Sequence, residues 1–353
     1  MSGLYIHIPF CERKCSYCAF YSLPRPWGNE HVFFQALEAE LESLPPDFSP
    51  ETIFIGGGTP TAPDIRSLEK LLLSLGRFSP AEFSVEANPG TVDAEKLSLL
   101  RERGVNRLSI GVQSFDSRCL KTLGRIHTAE QAEEVFRLAR AAGFENISLD
   151  LIFGVPGQTI KMVDADLDRA LALDPEHIAI YNLMYEEGTP LTNRNPPRLD
   201  EELERDMYDR IRNRLGTAGF EHYEISNFAK PGRECRHNLL YWSGGEYIGC
   251  GPAAHSHWNG VRWANVSDLN DYCANGPRRE FEEVLDPAAK ERETLVMGLR
   301  QTAGVEVSSN LCKSLGEVFQ RLEKEGLLVI NGRRVRLAEE ALFVSDSVFA
   351  ELV

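Results

Sequence analysis

Cys11, Cys15 and Cys18 stand in the run Leu4-Tyr-Ile-His-Ile-Pro-Phe-Cys-Glu-Arg-Lys-Cys-Ser-Tyr-Cys-Ala-Phe20. The C-x3-C-x2-C spacing directly follows a short apolar strand pattern. Three thiolates on one tight loop can hold three corners of a [4Fe–4S] cluster. The fourth iron is then left for a substrate or cofactor. The alternatives are a zinc site or ordinary buried thiols. Zinc favours a closed set of four ligands, often two C-x2-C pairs, and no second C-x-x-C occurs in this chain.

Further polar residues sit at the ends of apolar runs. Gly56-Gly-Gly-Thr-Pro60 follows one run and could expose main-chain groups to a ligand, or be a plain tight turn. Glu86 lies in Val85-Glu-Ala-Asn-Pro89, where a carboxylate could accept ribose hydroxyls or join a rim ion pair. Gln113 closes Gly111-Val-Gln-Ser-Phe115. Asp150 sits inside Leu149-Asp-Leu-Ile-Phe-Gly-Val-Pro156, where an unpaired charge is costly. It therefore needs a partner, either Arg125 or a ligand hydroxyl.

Positioning these residues requires alternating strands and helices. Strand patterns cover Leu4–Pro9, Thr52–Gly57, Phe83–Asn88, Arg107–Gln113, Asn146–Phe153 and His177–Met184. They are short, apolar and rich in β-branched residues, as buried parallel strands are. Helical patterns fall between them, over 30–43, 64–75, 93–104, 129–143 and 160–173. Six βα units predict an α/β fold, a partial TIM-like (β/α)6 barrel over residues 1–190 with its chemistry at the strand C-termini. Thr189–Arg198 reads as a linker before a helix near Asp200–Ala218. Residues 191–285 read as a barrel extension rich in aromatics, glycine and histidine. Residues 286–353 predict a small winged-helix-like α+β domain, with Asn331-Gly332 as a hairpin turn and a last helix over Ser345–Leu352. A structural cap suits this domain better than DNA binding.

The chain of 353 residues carries 53 acidic and 38 basic side chains, a net charge of −15. That excess argues against a dedicated nucleic-acid binder. No run is long enough to span a bilayer. Cluster-forming residues begin at position 11, which leaves no room for a cleaved presequence. Eight cysteines at this length do not form a disulfide framework, and a reducing, cytoplasmic setting is expected.

Taken together, these phrases resemble the HemN-like group of radical S-adenosylmethionine (SAM) proteins over nearly the whole chain. The resemblance rests on Tyr5-Ile-His-Ile-Pro-Phe-Cys11, Gly56-Gly-Gly-Thr-Pro60, Arg107-Leu-Ser-Ile-Gly-Val-Gln-Ser-Phe115, Leu123-Gly-Arg-Ile-His127 and Leu149-Asp-Leu-Ile-Phe-Gly-Val-Pro-Gly-Gln158. It implies that Cys11, Cys15 and Cys18 ligate the cluster. It also implies that Tyr5, Tyr17, Gly57, Gly58, Thr59, Glu86, Gln113, Arg125 and Asp150 contact SAM. Reduction of the cluster would cleave SAM to methionine and a 5′-deoxyadenosyl radical, and an electron donor is an implied partner.

The group holds an oxygen-independent coproporphyrinogen III dehydrogenase and a haem chaperone. The dehydrogenase has a further cysteine two places after the third, where this chain has Phe20, and a long N-terminal extension, where this chain has ten residues. His237-Asn-Leu-Leu-Tyr-Trp242 matches the HNxxYW motif of the chaperone branch. A neutral imidazole can ligate haem iron, and Tyr241 and Trp242 offer faces for a porphyrin. A hydrogen-bonded core histidine is the blander reading of His237. Tyr223-Glu-Ile-Ser-Asn-Phe-Ala-Lys230 also matches that branch, whereas Ala19 and Cys250-Gly-Pro252 depart from it. The implied partners are haem-acceptor proteins, with membrane haemoproteins among the candidates. Cys235, His255 and His257 are further candidate ligands, and Cys119, Cys273 and Cys312 carry no signal. A radical SAM enzyme acting on RNA would bring a basic surface, which is not visible here.

Overall fold

The computed structural model describes residues 2–28 and 30–353. Six parallel strands lie side by side in chain order: β1 (Ser2–Ile8), β2 (Thr52–Gly57), β3 (Glu82–Ala87), β4 (Arg107–Gln113), β5 (Ile147–Phe153) and β6 (His177–Asn182). Alternate side chains face opposite sides of each strand. Leu4, Ile6, Ile8, Ile53, Ile55, Val85, Leu108, Ile110, Leu149 and Ile178 join the helices in one core. The opposite set, including Tyr5, Glu86, Ser109, Ser148, Asp150 and His177, lines the lumen. The strands thus combine an apolar outer layer with a polar interior.

The crossover helices start where the sequence supplies caps. Asp64 accepts from the backbone N–H groups of Arg66 and Ser67 at the head of Ile65–Leu75. Thr128 and Gln131 form a capping box on Ala129–Ala141. The helix Ile65–Leu75 buries Leu68, Leu71, Leu72 and Leu75, each contributing about 1.5–3 kcal/mol of gross hydrophobic stabilisation.

The sheet continues past the six strands at both edges. Beyond β6 it adds the antiparallel strands β7 (Glu221–Glu224) and β8 (Asn227–Ala229). Beyond β1 it adds β9 (Glu246–Cys250), parallel to β1. An antiparallel meander follows through β10 (His255–Trp258), β11 (Val261–Asn265) and β12 (Arg279–Val284). Glu40, on the helix Glu30–Glu42, pins this extension. Its carboxylate accepts from Gly251 N (2.7 Å), Asn265 Nδ2 (2.7 Å) and Tyr272 Oη (2.6 Å).

The expected linker contains a short helix, Pro190–Asn193, capped by Thr189. The C-terminal region has helices Pro287–Gly298, Ser309–Ser314 and Gly316–Lys324. A three-stranded sheet made of Val305–Glu306, Leu328–Asn331 and Arg334–Leu337 accompanies them. Gly332 turns the hairpin at φ +64°. The closing segments, Glu339–Val344 and Ser345–Ala350, return to the barrel mouth. There Phe343 meets Tyr208 at 5.7 Å, with Arg205 over the Phe343 ring.

Candidate functional site

The C-terminal ends of the strands surround a cleft of about 690 Å³. Cys11, Cys15, Cys18, Tyr17, Gly57, Gly58, Thr59, Glu86, Gln113, Arg125 and Asp150 all line it. Tyr5 does not. It points one layer deeper, into a cavity of about 170 Å³ in the lumen, and its hydroxyl bonds to His7 Nδ1 at 3.0 Å.

The cysteine loop is fastened from several sides. Ser16 N–H donates to Leu123 O (2.9 Å), Leu191 N–H donates to Ser16 O (2.7 Å), and Trp27 Nε1–H donates to Cys11 O (3.2 Å). Gly124, at φ +75°, lets the loop approach, because a Cβ there would sit 2.6 Å from Ser16 Oγ. Gly57 and Gly58 serve the same end. Their missing Cβ atoms leave room for the His7 ring and the Pro9–Phe10 backbone. The glycine turn is thus shaped first by its packing on the cysteine loop and also presents a wall to the cleft.

A hydrogen-bonded chain joins two of the thiols. Thr59 Oγ1 donates to Cys11 Sγ (3.6 Å) and accepts from Asn88 Nδ2 (2.7 Å). Asn88 Oδ1 accepts from Arg125 Nη2 (2.5 Å), which also donates to Gly111 O (2.6 Å). Arg125 Nη1 reaches Cys15 Sγ at 3.4 Å. Arg125 Nε is buried and has no hydrogen-bond partner among the described residues. Asn88 is the link that sequence reasoning missed; its place directly after the Glu86 strand was the available signal. Burial raises the Cys11 and Cys18 thiols, with the Thr59 hydroxyl and the Phe20 amide opposing. Among the described residues no three His, Cys, Asp or Glu side chains converge as they would around one metal ion.

Glu86 and Asp150 face each other across the floor. Burial and the Asp150 charge push the Glu86 carboxyl up to about 8, against a hydrogen bond from Gly57 N–H (3.2 Å). Burial also raises Asp150, opposed by the Ser109 and Ser148 hydroxyls at 2.9–3.0 Å. Two serines thus donate to the carboxylate, and Arg107 and Arg125, the latter expected as its direct partner, act on it through space. With its carboxyl pushed up to about 8, Glu86 holds a proton at neutral pH and can donate to a ligand hydroxyl, while the Asp150 oxygens can accept from one. Gln113 holds φ +67° at a bulge where the β4–β5 register shifts, which aims a polar side chain at the cleft.

The His237 motif lies elsewhere, on the helix Arg236–Trp242 at the opposite end of the lumen. His237 is 1% exposed. Its Nδ1 is bonded to Thr52 Oγ1 and its Nε2 to Tyr241 Oη, each at 2.8 Å. Burial lowers its pKa to about 3, so the ring is neutral. Haem ligation by His237 meets a closed site with no free ring nitrogen. The adjoining 170 Å³ cavity has room for about five or six waters, far short of a tetrapyrrole. Trp242 stacks on Arg300 at 4.3 Å. Cys235 is buried beside Glu82 (3.6 Å), and His257 lies 3.3 Å from both Gly245 O and Lys290 Nζ. His255 is exposed on β10.

A family model described as the Radical SAM superfamily matches residues 5–170. The heme chaperone HemW of Bacillus subtilis is 39% identical, over 99% of this chain and 98% of that protein. HemW of Lactococcus lactis is 35% identical, over 100% and 97%. The mitochondrial radical S-adenosyl methionine domain-containing protein 1 of Bos taurus is 32% identical, over 100% and 87%. The solved coproporphyrinogen III oxidase HemN of Escherichia coli superposes with a TM-score of 0.85 over 99% of this chain and 89% of that one. At 21% identity this establishes the fold. With its (β/α) barrel, its C-terminal domain and these full-length relatives, the chain belongs to the HemW family of radical SAM proteins.

Proposed function

We propose that this protein is a haem chaperone that binds a [4Fe–4S] cluster and SAM, takes up haem as cargo and hands it to acceptor proteins. The observation that carries this reading is the match, end to end, to relatives named heme chaperone HemW. The residues of the cleft fit the resident groups. Cys11, Cys15 and Cys18 would hold three irons, with Thr59 and Arg125 donating to two of the sulfurs and tuning their electron density. The unpartnered Arg125 Nε would receive an anionic group, and the Glu86–Asp150 pair would hold hydroxyls. When bound, the cluster supplies one-electron chemistry and an open iron for SAM. The protein's share is positioning and exclusion of water.

Phe20 separates this reading from coproporphyrinogen dehydrogenation. It stands where the dehydrogenase pattern has a cysteine, and it is an apolar side chain 72% exposed at the cleft rim. All eight cysteines are free, and a cytoplasmic setting belongs to this reading. No described helix is long and apolar enough to cross a membrane.

Handover is tested by stopped-flow absorbance, mixing haem-loaded protein with an apo-haemoprotein. A transfer rate that rises with acceptor concentration is expected, because direct handover requires an encounter. A rate independent of acceptor concentration would mean passive release and would overturn the chaperone reading.

A further inference from the structure

Part of the cleft wall lies outside the residues assigned to the cluster and SAM, and it forms a second lobe. Met184, Tyr208, Ile225, Ser226, Arg300 and Phe343 line it, so it lies between the barrel mouth and the returning C-terminal segment. Arg300, which lines this lobe, connects it to three buried polar atoms without hydrogen-bond partners: its own Nε, Glu224 Oε2 and Trp242 Nε1. They are neighbours. The Arg300 guanidinium stacks on Trp242 at 4.3 Å, and its Nη2 stands 3.9 Å from Glu224, too far for a hydrogen bond. Glu224 is fully buried and Arg300 is only 26% exposed. Buried polar groups are nearly always satisfied, so three unsatisfied ones in one place form a cluster that a polar ligand or water can complete. A guanidinium carries five N–H donors in a fork that matches a carboxylate.

Charge selects the ligand class. The cationic residues lining the whole cleft are Arg13, Arg125 and Arg300. Arg125 donates to Asn88, Gly111 and Cys15 and keeps its free Nε for the anionic group of SAM, and Arg13 is exposed on the cysteine loop. In the second lobe Glu186 and Asp346 repel an anion, and Glu224 faces Arg300 at 3.9 Å without hydrogen-bonding it, so Arg300 is the cation with donors left for a carboxylate.

We propose that Arg300, held against Trp242 and beside Glu224, is the carboxylate-binding residue of the second lobe and anchors a propionate of the haem cargo. The inference rests on the cargo reading above. It gives the HNxxYW segment a role that needs no exposed histidine. His237 fastens the helix to β2 through Thr52, and the helix presents Trp242 as a plate that orients Arg300. Trp242 is then a positioning residue.

The test compares haem with haem dimethyl ester, whose propionates carry no charge, on anaerobically reconstituted full-length protein. Off-rates are read with apomyoglobin as a trap and affinities by absorbance titration. Wild type is expected to hold haem at least about tenfold more tightly than the ester, as a charge-assisted bidentate pair implies. Arg300→Gln should weaken haem binding by about 10- to 100-fold and leave ester binding unchanged, and Arg300→Lys should recover part of the loss. Trp242→Leu should shrink the haem-to-ester ratio. If Arg300→Gln binds haem as wild type does, or loses haem and ester equally, the inference is overturned while the cargo reading stands. A wild-type protein that takes up neither ligand overturns both.

Discussion

Glu82 offers a sharp test of how the motif helix is held. The helix Arg236–Trp242 has no side-chain cap of its own, because Cys235 occupies the N-cap position. Glu82, 4% exposed at the start of β3, reaches across to it. Its carboxylate accepts from Arg236 N–H (2.9 Å) and His237 N–H (3.1 Å). It also faces Arg107, which is 2% exposed. The neighbouring Cys235 thiol is pushed up to about 12 by burial and is neutral, so Glu82 and Asp150 are the anions that balance Arg107. Glu82→Ala removes two charge-assisted hydrogen bonds, about 1.5–3 kcal/mol each. It also leaves a buried guanidinium short of one partner, itself about 3–5 kcal/mol. These terms overlap, and about 6 kcal/mol is a reasonable total against an overall stability of about 5–15 kcal/mol. An unfolding entropy of about 2.1 cal/mol/K per residue converts each kcal/mol into roughly 1.4 °C for this chain. Differential scanning calorimetry of the reconstituted protein should show Glu82→Ala melting about 8 °C lower. Glu82→Gln keeps an acceptor and should lose about half as much. A Glu82→Ala variant melting within about 2 °C of wild type would refute the argument.

Three further outcomes follow from the same geometry. Cys15→Ala should abolish the brown 4Fe–4S absorbance while far-UV circular dichroism stays unchanged; a full cluster in that variant would remove Cys15 from the ligand set. Glu86→Ala should weaken SAM about tenfold by calorimetric titration, the value of one or two lost hydrogen bonds, and unchanged affinity would dismiss its ribose role. His127, buried with its Nε2 3.0 Å from Val112 O, is lowered to about 4, first by burial and then by Arg125. Its folded pKa lies below the unfolded 6.5, so its contribution is complete above pH 6.5 and is lost as the pH falls toward 4. At pH 5 the loss is about 2 kcal/mol. The stability difference between pH 7.5 and pH 5 should shrink by that much in His127→Gln, and an unaltered pH slope would contradict the assignment.

The six parallel strands were legible because each is a short apolar run that ends in a distinctive polar phrase. The boundaries of Thr52–Gly57 and Arg107–Gln113 agree to the residue. Most of the cleft was legible too, because residues at successive strand ends share one rim. Tyr5 was the exception. Its position on β1, two residues before His7, puts it a layer deeper in the lumen, and residue spacing alone does not show depth. Three features depended on partners remote in sequence. The helix Arg236–Trp242 is capped by Glu82, some 150 residues earlier, so no local signal announced it. The pairing of β9 with β1 joins residues about 245 apart, and a five-residue strand with glycine and cysteine carries little pattern. The pairing of Trp242 with Arg300 belongs to the packing between barrel and C-terminal region, which no periodicity encodes.

The central claim is that the cleft serves haem as cargo and leaves porphyrinogen unreacted. The most direct measurement is a paired assay on one anaerobically reconstituted sample. Haem is titrated by absorbance, and coproporphyrinogen III is then supplied with SAM and a reductant. Tight uptake of one haem per chain is expected, with no oxidised product. Conversion to protoporphyrinogen without tight haem binding would contradict it and would show that Phe20 does not exclude the dehydrogenase chemistry.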